Sequence, residues 1–210
     1  MYRTEVNPTC QKERKTKTII GQDLPWLTDG HTGKTILLSE MERSARGLAK
    51  VLQGKGLKPG EVVTMVDRSR VETPVLALAV WLCGAVFNTM DPNPSRSTLE
   101  GNLSSFLPKL LLTSSDYLNK LENFCVENNI LIWLYDQADS IAELVPSKEE
   151  CKEDGSEHFP TSDDPSDLAL VLWSSGSTGS PKGIKLPFSA LIGTCLRQRE
   201  APISTIIDPE

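Results

Sequence analysis

Histidine is nearly missing from this sequence: 210 residues carry only two, His31 and His158. Both stand in polar, turn-like surroundings, so neither reads as a catalytic base set in a core. Cysteine is sparse as well. Cys10, Cys83, Cys125, Cys151 and Cys195 are odd in number and widely spaced, with no Cys-x-x-Cys pair. That pattern indicates neither a disulfide framework nor a zinc site, and it suits reduced thiols in an intracellular compartment. Long apolar runs are absent too. The longest, VLALAVWLCGAVF from Val75 to Phe87, has 13 residues, too few to span a bilayer, and the amino terminus lacks the apolar stretch of a signal peptide. Excess positive charge is the last absence. The formal net charge is −6, and the one basic cluster, Lys12, Arg14, Lys15 and Lys17, reads as a solvated leader over residues 1–23, so nucleic acid is not an expected partner.

What remains is an ordinary globular composition, 39% hydrophobic and 24% charged, long enough for one large domain or for one domain and part of another. The pattern alternates. SEMERSARGLAKVLQGKGL opens on a capping box, Ser39 with Glu42, and continues as a helix with Met41, Ala45, Leu48 and Leu52 at helical spacing, ending at Gly54 or Gly56. EVVTMVD (61–67) is a strand, and the apolar run after Pro74 is a buried helix. A short strand over Phe87 to Met90 follows. Ser97 and Glu100 form a second capping box, before a helix whose apolar face is Leu99, Leu103 and Phe106. Leu110 to Thr113 is a strand, 116–128 a helix with Leu118, Leu121 and Cys125 inward, and Ile130 to Tyr135 a strand. Four such alternations predict an α/β fold, a mainly parallel sheet with helices on both faces. Residues 146–167 break the rhythm: acidic and nearly free of aliphatic side chains, they read as a mobile surface loop.

After the strand-like LALVLW (Leu168 to Trp173) comes SSGSTGSPKG, residues 174–183. In open α/β sheets ligands bind beyond the carboxyl ends of strands. Gly176, Gly179 and Gly183 would let the backbone take positive φ and approach a ligand closely. Successive N–H groups in such a turn make an anion-binding concavity. Ser174, Ser175, Ser177 and Thr178 add hydroxyls, Lys182 adds a compact positive charge, and Pro181 stiffens the backbone before it. A polyphosphate would use all of these together. The loop is not a Walker A motif, since Pro181 precedes the lysine. HTGKT (31–35) has a Gly-Lys-Thr tail but Thr28 in place of the first glycine, and reads as a hairpin turn. No GxGxxG follows a strand. As a bare string a Ser/Gly-rich segment is a linker; the strand before it and the apolar GIKLP after it weigh against that.

LWSSGSTGSPKGIKLP resembles the phosphate-loop signature of the adenylate-forming superfamily, which includes acyl-CoA synthetases, coumarate–CoA ligases and beetle luciferases. Every position from Ser174 to Gly183 fits the pattern Ser/Thr-Ser/Thr-Gly-Ser/Thr-Thr-Gly-x-Pro-Lys-Gly. LSEMERSARGLAKVLQGKGLKPGEVVTMVDRS, GAVFNTMDPNPS and DGHTGKTI are similar to the family's amino-terminal region, so the resemblance extends over about residues 24–200. It implies an AMP-forming acid–thiol ligase. A carboxylic acid attacks the α-phosphate of Mg-ATP to give an acyl-adenylate and pyrophosphate, and a thiol, usually of coenzyme A, takes the acyl group. Ser174, Ser175, Gly176, Ser177, Thr178 and Lys182, with Gly179 and Gly183, would hold the β and γ phosphates; Ser180 is the variable position. The implied cofactors are ATP and Mg2+, with coenzyme A as co-substrate.

Two departures qualify what the resemblance implies. Phe188 stands where many members have histidine. The family's acyl pocket, its Thr-Glu motif, its ribose-binding aspartate, and the carboxy-terminal domain find no counterpart in 1–210. The catalytic lysine that the resemblance implies is accordingly expected beyond Glu210, and no catalytic residue is assigned within the chain. The expectation is therefore that 24–210 is the amino-terminal part of an AMP-binding domain, that the carboxy-terminal domain is absent, and that 1–210 alone does not turn over. A non-catalytic phosphate- or partner-binding remnant and a luciferase-like oxidation are the alternatives. A soluble protein of the cytoplasm or peroxisome is expected.

Overall fold

The computed structural model describes residues 23–134, 167–174 and 181–200; the leader through residue 22, 135–166, 175–180 and 201–210 lie outside the described residues. The acidic segment 146–167 is therefore described only at Asp167, and His158, Cys10 and Cys151 are not described. Glu210, beyond which the catalytic lysine is expected, also lies outside the described residues.

A two-stranded antiparallel hairpin comes first, β1 (Pro25–Thr28) with β2 (Thr35–Leu37). Its turn is the HTGKT segment, as the sequence predicts. The Asp29 carboxylate accepts the backbone N–H groups of His31 at 2.9 Å and Thr32 at 2.7 Å, and these hold its pKa below the usual carboxylate value. Gly33 supplies the left-handed residue, φ +72°. Lys34, the lysine of that segment, forms an ion pair with Glu72 at 2.5 Å and so pins the hairpin to the start of the helix Thr73–Leu82.

The remaining elements are α1 (Leu38–Gly54), β3 (Val62–Val66), α2 (Thr73–Leu82), β4 (Val86–Met90), α3 (Arg96–Ser105), β5 (Leu110–Thr113), α4 (Ser115–Glu127), β6 (Leu131–Leu134), β7 (Leu168–Ser174), β8 (Lys182–Pro187) and α5 (Phe188–Glu200). Six strands make one sheet in the order β6-β5-β3-β4-β7-β8. All neighbours are parallel except β7 and β8, which pair antiparallel at the edge. The predicted mainly parallel sheet is thus observed.

The pleat sorts side chains onto two cores. Val63, Met65, Phe87, Leu110 and Leu112 face one way, against Ala45, Leu48, Leu52 of α1 and Val75, Ala79, Val80 of α2. Val66, Met90 and Leu111 face the other way, against Leu99 and Leu103 of α3 and Leu121, Phe124 and Cys125 of α4. Helices therefore cover both faces, which explains why the central strands read as unbroken apolar runs.

Both expected capping boxes are displaced. α1 begins earlier than a Ser39 cap requires, because β2 runs up to Leu37, whose N–H is met by the Glu40 carboxylate at 3.4 Å. Ser39 sits inside the first turn, where its N–H donates to Asp23 at 3.1 Å and its hydroxyl donates to the same carboxylate. Glu42 pairs instead with Arg46. In α3 the cap is Ser95, held extended after Pro94, and its hydroxyl accepts the Thr98 N–H at 3.3 Å. Glu100 is spent on Arg96 at 2.7 Å. Phe106 is a further correction. It lies past the end of α3 with non-helical backbone, φ −141° and ψ 68°, and does not belong to that helix's apolar face. Leu118 is half-buried, whereas Phe124, not expected, is inside.

Candidate functional site

The carboxyl ends of β3, β4, β5 and β7 lie along one edge of the sheet, and the candidate loop leaves that edge from β7. The residues of β7 are chosen for burial: Ala169 and Val171 are fully buried, β7 pairs with β4 through Phe87 opposite Leu170 and Asn88 opposite Val171, and the Trp81 indole N–H donates to the Ala169 carbonyl at 2.8 Å. β7 is thus an anchored strand with a loop at its end, the arrangement open α/β sheets use for ligands.

Of the eight candidate residues, Ser174, Lys182 and Gly183 are described; Ser175, Gly176, Ser177, Thr178 and Gly179 lie outside the described residues, as does Ser180. Ser174 and Lys182 stand opposite each other in the last pair of the β7–β8 ladder, with Trp173 opposite Gly183 behind them. The positions from Ser175 to Pro181 therefore connect two strands whose ends are held together. The Ser174 hydroxyl lies 3.4 Å from the Lys182 carbonyl. Lys182 is exposed, and no carboxylate among the described residues pairs with it, in contrast to Lys34. A serine and a lysine that has no carboxylate partner among the described residues, opposite each other in the last ladder pair, suit an oxyanion ligand.

Gly183 is corrected. Its backbone is not in the positive-φ region; it is an extended residue in β8. The reason for its smallness is a close neighbour, since a Cβ built there would stand 2.5 Å from Phe106 Cε2.

Sequence reasoning missed the groups behind the mouth. Trp173 donates its indole N–H to Asn88 Oδ1 at 2.9 Å, and Asn88 Nδ2 donates to Thr64 Oγ1 at 3.0 Å. Thr64 and Asn88 are fully buried, so this polar line crosses β3, β4 and β7 inside the core. The signal available in the sequence was one amide within the apolar strand VFNTM. Two further buried polar atoms lie on the same edge, Asp67 Oδ2 just past β3 and Ser114 Oγ just past β5, neither with a partner among the described residues. Among the described residues no cluster of three or more His, Cys, Asp or Glu side chains is placed to hold a metal.

The profile of the AMP-binding enzyme family matches residues 13–207. The chain belongs to this family. Curated relatives of this AMP-binding chain include 4-coumarate-CoA ligase 1 of Narcissus pseudonarcissus, 28% identical over 84% of the chain and 32% of the relative. Another is zwittermicin A synthase ZmaJ of Bacillus cereus, 30% identical over 82% of the chain and 30% of the relative. The chain thus spans about a third of the length of the curated relatives it matches. ATP-bound MatB from Rhodopseudomonas palustris shares the fold, with a TM-score of 0.68 and 24% identity over 81% of this chain and 33% of that one. A fatty acyl-adenylate ligase from L. pneumophila, solved in complex with acyl adenylate and pyrophosphate, aligns with a TM-score of 0.61 and 19% identity over 80% of this chain and 28% of that one. Luciferase-like architecture is also among the fold neighbours, in an enzyme from the nonluminescent Zophobas morio mealworm.

Proposed function

We propose that this chain carries the pyrophosphate-holding part of an AMP-forming acid–thiol ligase. The observation that carries the reading is the last pair of the β7–β8 ladder, where Ser174 stands opposite Lys182 at the carboxyl end of a strand of the sheet. Membership of the AMP-binding family and the coumarate–CoA ligase relatives support it.

In the reaction a carboxylate oxygen attacks the α-phosphorus of ATP, an acyl–phosphate bond forms and the bond to pyrophosphate breaks. A thiol, that of coenzyme A, then attacks the acyl carbonyl and AMP leaves. Charge accumulates on the leaving pyrophosphate in the first step, so groups aimed at its oxygens lower that barrier selectively. Lys182 supplies a point charge, Ser174, Ser175, Ser177 and Thr178 supply hydroxyl donors, and Gly176 and Gly179 leave the backbone open to the phosphates. Mg2+ arriving with ATP would screen the phosphate charge. The described residues of this chain add no carboxylate cluster to hold it. Free thiols at Cys83, Cys125 and Cys195 support a reducing compartment, cytoplasm or peroxisome; a relative from Arabidopsis thaliana is named as a peroxisomal CoA ligase. No helix among the described residues is long and apolar enough to cross a membrane.

The test is the affinity of the 210-residue chain for Mg-pyrophosphate, read by calorimetry. A charge-assisted contact contributes about 1.5–3 kcal/mol, so Lys182→Ala is expected to weaken binding roughly ten- to a hundred-and-fiftyfold. Arginine at 182 should restore part of the loss, because a planar fork replaces a compact charge. A change below about twofold, as for an ordinary surface lysine, would remove Lys182 from the site.

A further inference from the structure

We infer that Phe106 and Asn88 are positioning residues for the loop mouth, and that Gly183 is glycine because of Phe106 rather than because a phosphate needs the room. The inference rests on the pyrophosphate reading only for its binding consequence.

The two strands that open the mouth are both tied to one aromatic ring. Trp173, one residue before Ser174, meets Phe106 edge-on, with centroids 5.9 Å apart and planes at 88°. Gly183, one residue after Lys182, lies so near the same ring that an added Cβ would fall at 2.5, 3.2 and 3.4 Å from three of its carbons. Lys185, two positions further along β8, places its ammonium 5.4 Å from the ring centre. Trp173 and Gly183 are themselves opposite each other in the ladder. Phe106 therefore fixes the strand leaving the core and the strand returning to it.

The half-buried ring has a tethered neighbour. Trp173 holds it from one side, and Trp173 is itself held by the Asn88 amide, which Thr64 engages in turn. Because Asn88 and Thr64 are fully buried, breaking this line would leave a buried polar group unpaired, which costs more than the bond contributes. Phe106 comes from the end of α3 and Asn88 from β4, so the mouth inherits its place from the core and not from its own glycine-rich sequence. Ser174 and Lys182, each one residue from this cluster, are positioned by it.

A ring-dependent glycine and a phosphate-dependent glycine behave differently in a double-mutant cycle. Gly183→Ala, Phe106→Leu and the double variant are made in the 210-residue chain, labelled with 5-fluorotryptophan, with the Trp173 fluorine resonance assigned from Trp173→Phe. Gly183→Ala is expected to move that resonance, lower the unfolding midpoint and weaken Mg-pyrophosphate binding about tenfold or more. In the double variant, resonance, midpoint and affinity should return toward the Phe106→Leu values, with affinity within about threefold of Phe106→Leu, because contacting residues are non-additive. Asn88→Asp should shift the Trp173 resonance as well. Additive losses, or a Trp173 resonance indifferent to Gly183→Ala, would overturn the inference. Should the wild-type chain not bind Mg-pyrophosphate, the functional reading fails, and resonance and midpoint still decide the role of Phe106.

Discussion

Burial pushes the Cys83 and Cys125 thiols up to about 11, because each thiolate would lose its water without gaining a partner charge. Cys83 is fully enclosed and lies 3.4 Å from the Ala49 carbonyl, and Cys125 is fully enclosed on the core face of α4. Cys195, in contrast, is exposed on α5. Since the thiolate is the reactive species, a disulfide reagent at a pH of about 8 should modify Cys195 within minutes and leave Cys83 and Cys125 untouched until denaturant is added. The check is mass spectrometry of peptides after timed labelling; early modification of Cys83 would contradict the packing of α1 on α2. The same scale shows how one environment separates two similar lysines. Lys34 and Lys182 each follow a glycine- and hydroxyl-containing stretch. The first is consumed by Glu72, and the second remains exposed at the loop mouth.

Among the elements, α3 depends most visibly on a single local bond. Its amphipathic face is short, with Leu99 and Leu103 as its buried side chains, so tertiary packing contributes little beyond them. Ser95 closes the amino end by accepting the Thr98 N–H. Ser95→Ala should destabilise the chain by about 1 kcal/mol, and Ser97→Ala by only a few tenths, since only the former removes the cap. Urea unfolding of the two variants measures the difference. Equal effects would restore the cap to Ser97, where the Ser97–Glu100 spacing suggested it. The helix matters to the site because the residue just past its end is Phe106, whose ring approaches both β7 and β8.

For the whole molecule, two cores share one sheet. Leu48 and Leu121 are both completely buried, one on each side. Strands β3 and β5 carry residues into both cores at alternate positions, so neither side can lose its packing without disturbing the other. Leu48→Ala and Leu121→Ala should each cost about 2–5 kcal/mol, and each should move a single cooperative transition. Calorimetry is the measurement. Two separable transitions, one sensitive to Leu48 and the other to Leu121, would mean that the faces fold independently.

Periodicity and composition determined the alternating helices and strands, because a parallel sheet buried on both faces demands continuous apolar strands of a recognisable length. Pro74, Gly56 and the HTGKT turn (31–35) were legible for the same local reason: each acts through its own backbone or a residue a few positions away. The ten-residue loop suggested an anion site by residue type, and its similarity to a known signature pointed to the family that the profile match bears out. The caps were legible only in part, since Ser39 and Ser97 offer the same local chemistry as the true cap residues, and the choice went to where β2 ends and where Asp23 and Pro94 lie. Which neighbour makes Gly183 small, and what holds Trp173, were decided by tertiary structure alone. Phe106 is 77 positions from Gly183 and Asn88 is 85 from Trp173. No local pattern encodes such distant contacts, because only the stacking of β4 beside β7, with the end of α3 packed across them, brings these side chains together.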